Sequence, residues 1–200
     1  MTECLLCEKN LSTNPSWQAF LGLKTEEIIC NKCSNSFERT DIEDKTSTLS
    51  SIQSIYTYNE SMKNYLHQFK FLQDIALANV FQNEIHHVLK GRKNIVPIPV
   101  HPKRRVARTF SQVEALLDAA NISYLDILEK LDEVTMGEKT RLERLAVKPL
   151  FQLKQQTIIQ AETYVLVDDI YTTGTTLNYA AKVLLDAGAK NVEAVTLIRA

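Results

Sequence analysis

The sequence contains no uninterrupted apolar run approaching the roughly 18 residues of a membrane-spanning helix, so no membrane insertion is expected. The amino terminus, MTECLLCEKN, has neither a basic start nor a long apolar stretch. No secretory leader is expected, and the expected compartment is the cytoplasm. Net charge is nearly absent too: 23 Lys and Arg stand against 24 Asp and Glu, leaving -1. No global attraction for nucleic acid follows. Glycine is sparse, five in 200 residues, and none falls in a GxGxxG pattern or before Lys-Ser/Thr. That excludes the dinucleotide-binding turn and the Walker loop. Cysteine is missing after residue 33. Four thiols in a chain expected to stay in a reducing compartment argue against structural disulfides.

What is present suits one α/β domain with a small appendage, since 44% hydrophobic residues over 200 positions can build one real core. The neutral total conceals a basic stretch. Lys90, Arg92, Lys93, Lys103, Arg104, Arg105 and Arg108 follow one another with no intervening acid. A solvated basic face is the plain alternative to a binding role for them.

The cysteines form two knuckles, Cys4-x2-Cys7 and Cys30-x2-Cys33. Each knuckle can place two thiolates on one ion, and two complete the tetrahedral shell of structural zinc. Four thiolate ligands leave no open position, so the expected zinc is structural. An iron–sulfur cluster or a redox pair remains as an alternative. A module this short buries little apolar surface by itself, so metal binding would supply its folding energy. Residues 1–40 are expected to form this zinc module, with Trp17, Phe20, Leu21 and Leu23 around the metal. The polar stretch SNSFERTDIEDKTSTLSS reads as a loose hinge. Residues 41–51 are expected as the linker and 52–200 as the main domain.

Within that domain, IQSIYTYN (52–59) predicts a strand. SMKNYLHQFKF and QDIALANVFQNEIHHVL predict helices, with Leu77, Val80, Phe81, Ile85 and Leu89 as a buried face and Gly91 as the stop. NIVPIPV (94–100) predicts a short strand, which Pro97 and Pro99 place at an edge or cut short. FSQVEALLDAAN is an amphipathic helix and YLDIL (124–128) a strand. Residues 129–155 are ambiguous, with a helix expected around Lys139 to Leu145. ETYVLVDD is a strand, Thr176 to Ala187 a helix ended by Gly188, and NVEAVTLIR the last strand. Strand–helix alternation predicts a mostly parallel sheet covered on both faces, which binds ligands beyond the carboxyl ends of its strands.

VLVDDIYTTGTT, residues 165–176, carries the sharpest signal. Asp168 and Asp169 follow an apolar strand, and adjacent carboxylates repel unless donors or metal hold them. A sugar diol supplies such donors. Thr172, Thr173, Gly174, Thr175 and Thr176 then lead into a helix, where backbone N–H groups and hydroxyls can surround a phosphate. An ordinary helix cap needs only one hydroxyl. Ribose 5-phosphate fits the pair of features.

The same stretch closely resembles the signature of type I phosphoribosyltransferases: apolar run, Asp-Asp, two variable residues, Thr-Thr-Gly, any residue, Thr. The resemblance implies a parallel α/β fold, with Asp168 and Asp169 on the ribose hydroxyls of phosphoribosyl pyrophosphate. It also puts residues 172–176 on the 5-phosphate. The two knuckles, YNESMKNYLHQFKFLQD and IVPIPVHPKRRVARTFSQVEALL are similar to the competence protein F family (ComFC and its GntX-type relatives). Of that family's Arg-Gly-Phe-Asn-Gln motif, Arg108, Phe110 and Gln112 are kept, while Thr109 and Ser111 replace Gly and Asn. Phe69, Lys70, Phe71 and Asp74 match its FK(Y/F)xxD element. The Arg-x3-Thr-x2-Gln element departs. Thr135 survives, Lys130 or Leu131 stands near the arginine position, Glu138 replaces Gln, and Arg144 matches a later arginine. This region is a mobile hood over pyrophosphate in true transferases. Asp132, Glu133 and Glu138 would serve an anion poorly there, which weighs against efficient catalysis.

The resemblance implies an accessory protein for natural transformation. It would bind imported single-stranded DNA, an ATP-dependent competence translocase, or both, at the inner face of the membrane through the DNA-uptake machinery. Lys103, Arg104, Arg105, Arg108 and Gln112 would meet DNA phosphates or pyrophosphate, with Lys70 joining Asp168 and Asp169 in a catalytic role. The alternative is an active phosphoribosyltransferase using Mg2+, phosphoribosyl pyrophosphate and an unknown acceptor. A scaffold with a relic pocket is a third reading. His101 is a candidate site residue, with a plain surface histidine as the alternative, while His86 and His87 lie on a helix with no further ligand pattern beside them.

Overall fold

The computed structural model describes residues 3–11, 28–40, 42–100, 110–131 and 150–200. Its centre is a five-stranded sheet of β1 (Glu43–Asp44), β2 (Ser51–Thr57), β3 (Ile95–Pro97), β6 (Thr163–Tyr171) and β7 (Asn191–Arg199), in the order β1-β2-β7-β6-β3. Only β1 is antiparallel to its neighbour; β2–β7, β7–β6 and β6–β3 are parallel. A separate two-stranded sheet pairs β4 (Leu128–Lys130) with β5 (Phe151–Leu153). The expected mostly parallel α/β sheet is therefore present, with β3 at its edge and cut short at Pro97.

The helices follow from spacing and caps. The first, α1 (Asn31–Ser34), is a single turn behind Cys30. The second, α2 (Glu60–Phe71), starts where the Asn59 side chain accepts from the Met62 amide at 2.9 Å. It buries Met62, Tyr65, Leu66 and Phe69, one stripe at helical spacing. The apolar face expected over 73–89 is real but built in two pieces. A 3-10 turn over Ile75–Phe81 runs into α3 (Gln82–Leu89). Next comes α4 (Gln112–Ala119), capped by the Ser111 hydroxyl. The last, α5 (Thr175–Asp186), lays Leu177, Ala180, Ala181 and Leu184 on the sheet.

Two cores lie on the two faces of the sheet. Val165, Val167, Val195 and Leu197 join α2, the 3-10 turn, α3 and α4. Leu166, Val192 and Ala194 join α5, Leu128 and Phe151. Fully covered strands explain the unbroken apolar runs in the sequence.

Two expectations need correction. YLDIL does not add a strand to the main sheet: Leu125 and Asp126 are exposed, and the Leu125 amide donates to the Ile95 carbonyl at 2.7 Å without extending the ladder. The strand begins at Leu128 instead, in the small sheet. The polar stretch after the second knuckle is structured in part. Glu43 and Asp44 pair with Gln53 and Ile52, and Leu49 is fully buried. Its Ser, Thr and Asp content suggested a hinge, but these side chains bond to neighbouring elements. The helix expected around Lys139 to Leu145 lies outside the described residues.

Candidate functional site

Strand β6 carries its acids past the end of its edge neighbour. The β3–β6 ladder closes with Pro97 opposite Val167, and the Ile98 amide donates to the Val167 carbonyl at 2.9 Å. On the other side β6 stays paired with β7, from Asp168 opposite Thr196 to Tyr171 opposite Arg199. The acids thus lie within the strand rather than after it, because β7 extends the ladder beneath them. They are held on one flank and clear of β3 on the other. This is the carboxyl end of the parallel strands, where such sheets bind ligands.

Strand alternation separates the two carboxylates. Tyr164 and Leu166 face the α5 side, Val165 and Val167 the α2 side. Continuing the period of two, Asp168 turns toward α5 and lines a pocket with Ile170, Tyr171 and residues 172–176. Asp169, only 9% exposed, pairs through Oδ2 with Lys70 Nζ on α2. The pair given one role in the sequence therefore has two surroundings.

Burial, and next the charge on Asp169, push the Asp168 carboxyl up to about 8. The Asp169 amide, donating to Asp168 Oδ1 at 2.9 Å, and the cations of Lys70 and Lys130 pull the other way. Lys130 sits on β4 with its ammonium 5.6 Å from the Phe151 ring centre. Burial, and then the Asp169 charge, hold Tyr65 well above the usual phenol range; its hydroxyl donates to the Leu77 carbonyl at 3.3 Å.

The loop after β6 turns at Gly174, whose φ of 71° is left-handed. A Cβ there would meet Tyr171 Cε2 at 2.9 Å and Asn178 Nδ2 at 3.1 Å, so only glycine fits. Thr173 and Thr175 share a hydroxyl hydrogen bond of 2.9 Å. With Asp168 they line a small open cleft. The start of the twelve-residue α5 faces this space with its amide donors and positive dipole end, which suits an anion.

Two chain segments leave from this rim. One begins after Ile98, bonded to Val167, and returns at Phe110, whose ring lies 5.5 Å from Phe69 beside Lys70. Lys103, Arg104, Arg105 and Arg108 belong to it and lie outside the described residues, as does His101. The other is anchored where the Leu131 amide donates to the Leu150 carbonyl at 3.0 Å, at the end of the β4–β5 sheet. Gln112 is buried in the first turn of α4.

The cysteines converge as their spacing implied. All four Sγ atoms lie within 4.8 Å of one another, and Cys7 and Cys30 are 3.7 Å apart. Tetrahedral zinc with sulfur ligands at ~2.3 Å separates sulfurs by ~3.8 Å, so the cluster fits a chelated metal. Each knuckle is locally fixed. The Cys4 amide donates to the Lys9 carbonyl at 2.9 Å, and the Ser34 amide to the Cys30 carbonyl at 2.9 Å. Burial opposes ionisation of Cys4, but amides of Cys30, Leu6 and Cys7 outweigh it and bring the thiol to about 6. Leu5, Leu6, Ile28, Ile29 and Phe37 pack the cluster onto the α2-side core, where Phe37 meets Phe81 at 4.9 Å. Trp17, Phe20, Leu21 and Leu23 lie outside the described residues.

Sequence reasoning gave no role to Tyr171, Asn178, Thr46 or Thr48, which buttress the loop. The only available signal was a polar residue four positions after Gly174, too common to single out.

A family model described as the phosphoribosyl transferase domain matches residues 106–200. Over nearly the whole chain, "Competence protein ComFC" of Streptococcus pneumoniae (strain ATCC BAA-255 / R6) is 36% identical across 220 aligned positions, covering 98% of this chain and 100% of that protein. The chain belongs to the ComFC competence protein family. "Competence protein ComFC" of Bacillus subtilis (strain 168) is 30% identical over 98% of this chain and 94% of its own length. "Competence protein F" of Haemophilus influenzae (strain ATCC 51907 / DSM 11121 / KW20 / Rd) is 27% identical over 72% and 70%. The fold is phosphoribosyltransferase-like, a mostly parallel sheet flanked by helices, preceded by a four-cysteine cluster that can chelate a metal. Among the described residues no helix is long and apolar enough to cross a membrane.

Proposed function

We propose that this ComFC family member is a DNA-uptake accessory protein whose β6–α5 pocket holds a ribose 5-phosphate group. The observation that carries the reading is one small pocket lined by both Asp168 and residues 172–176. Asp168 accepts from the sugar hydroxyls. The loop amides, threonine hydroxyls and α5 dipole receive the phosphate. Lys70 and Lys130 place cations beside the acids, suited to a second anionic group. Lys103, Arg104, Arg105 and Arg108, which follow Ile98 and precede Phe110 in the sequence, hold single-stranded DNA by its phosphates. The cysteine cluster holds structural zinc and offers a docking face for the ATP-dependent translocase. Residues 1–40 serve as the zinc module and 52–200 as the main domain, with 41–51 between them.

Lys70 and Lys130 also favour a second reading, phosphoribosyl transfer with an unknown acceptor. Mg2+ bound to the pyrophosphate would neutralise the leaving group. Asp168 and the loop would hold and orient the sugar, and Lys70 would offset the negative charge that develops on the leaving pyrophosphate.

Calorimetric titration with phosphoribosyl pyrophosphate and Mg2+ tests the pocket. Saturable binding is expected for the unaltered protein and none for D168N/D169N. Equal binding by both, or none by either, removes the ribose-phosphate reading. For the basic run, R104E/R105E is expected to lower single-strand affinity and flatten its salt dependence. No change in either rules that contact out.

A further inference from the structure

The Gly174 carbonyl accepts two hydrogen bonds, from the Asn178 amide at 2.9 Å and from Asn178 Nδ2 at 2.8 Å. In a planar trans peptide the C=O and the next N–H point in opposite directions. Holding that carbonyl into α5 therefore aims the Thr175 N–H out of the helix start, where an anion would sit. A flip of this peptide would break both bonds and replace a donor by a carbonyl dipole.

Asn178 is itself oriented. Thr46 and Thr48 both donate hydroxyl hydrogen bonds to its Oδ1, at 2.6 and 2.5 Å. An amide has one acceptor end and one donor end, so two donors on Oδ1 leave the NH2 for Gly174. The threonines are fixed in turn. Thr46 Oγ1 accepts from the amides of Thr48 at 3.3 Å and Leu49 at 3.1 Å, and the Thr46 amide donates to the Leu49 carbonyl at 2.9 Å. Leu49 is anchored in the α5-side core. A chain of contacts thus runs from the β1–β2 connection to one peptide of the loop.

We propose that Asn178, oriented by Thr46 and Thr48, is a positioning residue that locks the Gly174–Thr175 peptide and preforms the loop for a phosphate monoester. The proposal rests on the ribose-phosphate reading above. It gives the Thr-rich segment before β2, whose composition suggested a hinge, a part in ligand binding; N178D keeps both threonine bonds but sets a carboxylate oxygen against the Gly174 carbonyl. T46V/T48V removes the hydroxyls at constant shape, and T46S/T48S keeps them.

The test is amide hydrogen exchange of residues 172–176 in the full ligand-free chain, beside calorimetric titration with ribose 5-phosphate. N178D and T46V/T48V are expected to exchange these amides at least ~10-fold faster and to bind at least ~10-fold more weakly, the scale of one lost hydrogen bond. T46S/T48S should stay within about twofold of the unaltered protein, since its hydroxyls remain. Unchanged exchange in N178D and T46V/T48V overturns the proposal, as does a Ser pair as impaired as the Val pair. Unchanged affinity with faster exchange also overturns it. If the unaltered protein does not bind ribose 5-phosphate, the ribose-phosphate reading fails separately, and exchange alone decides whether the lock exists.

Discussion

Binding a sugar phosphate should expel a proton from Asp168. The carboxyl is pushed up to about 8 by burial and by Asp169, so near neutral pH the free protein holds it mostly protonated. At pH 7 a group of pKa ~8 is about 90% protonated, and at pH 9 about 90% ionised. Sugar hydroxyls donating to Asp168 favour the ionised form. If only that form binds, each ligand releases about 0.9 proton at pH 7, and affinity rises about tenfold between pH 7 and 9 before levelling. A phosphate monoester, with a second pKa of ~6, is already a dianion over this range and adds little slope. Titrations in buffers of different ionisation enthalpy count the protons directly. D168N is the control and should show weak, pH-independent binding. Tenfold tightening in both proteins, or no proton release by the unaltered one, would refute the assignment of the diol to an ionised Asp168. The same group fixes the sign of a stability effect. Its folded pKa lies above the unfolded 3.8, so the folded state holds the proton more tightly. Stability therefore falls as pH rises from about 4 to about 8 and is level above that, a trend that D168N should lack.

Other perturbations have equally definite outcomes. G174A forces a side chain onto a left-handed residue against Tyr171 and Asn178, and should cost about 1–3 kcal/mol in chemical denaturation while weakening sugar-phosphate binding. K70M leaves Asp169 enclosed without its cation and should cost about 3 kcal/mol, with K70M/D169N recovering most of it; an unchanged midpoint for K70M would mean that the pair contributes nothing. Stripping the metal with a chelator should release about one zinc per chain and lower the unfolding temperature, because Leu5, Leu6, Ile28, Ile29 and Phe37 lose the frame that holds them on the core. Release of iron and sulfide would instead identify a cluster.

The sequence by itself determined the elements whose signals are local. The apolar runs of β6 and β7, the stripe of α2 and the stop at Gly188 all follow from periodicity and turn chemistry within a few residues. The four thiols were legible because two knuckles of fixed spacing have few other uses. The DD-x2-TTG-x-T stretch announced its pocket for the same reason: strand, loop and helix start are contiguous. Tertiary structure decided what depends on partners far along the chain. Asp168 and Asp169 look equivalent as neighbours, but strand alternation gives one to the α5 pocket and the other to Lys70, about a hundred residues earlier. Composition made the stretch before β2 look like a hinge. Its threonines satisfy themselves on Asn178 and its Leu49 enters the core, contacts that no local pattern encodes. YLDIL reads as a strand by propensity, yet no covering layer buries Leu125. Periodicity reports which face of an element is apolar. Which element covers it, and which charge meets which, is fixed only when the sheet order brings distant strands together.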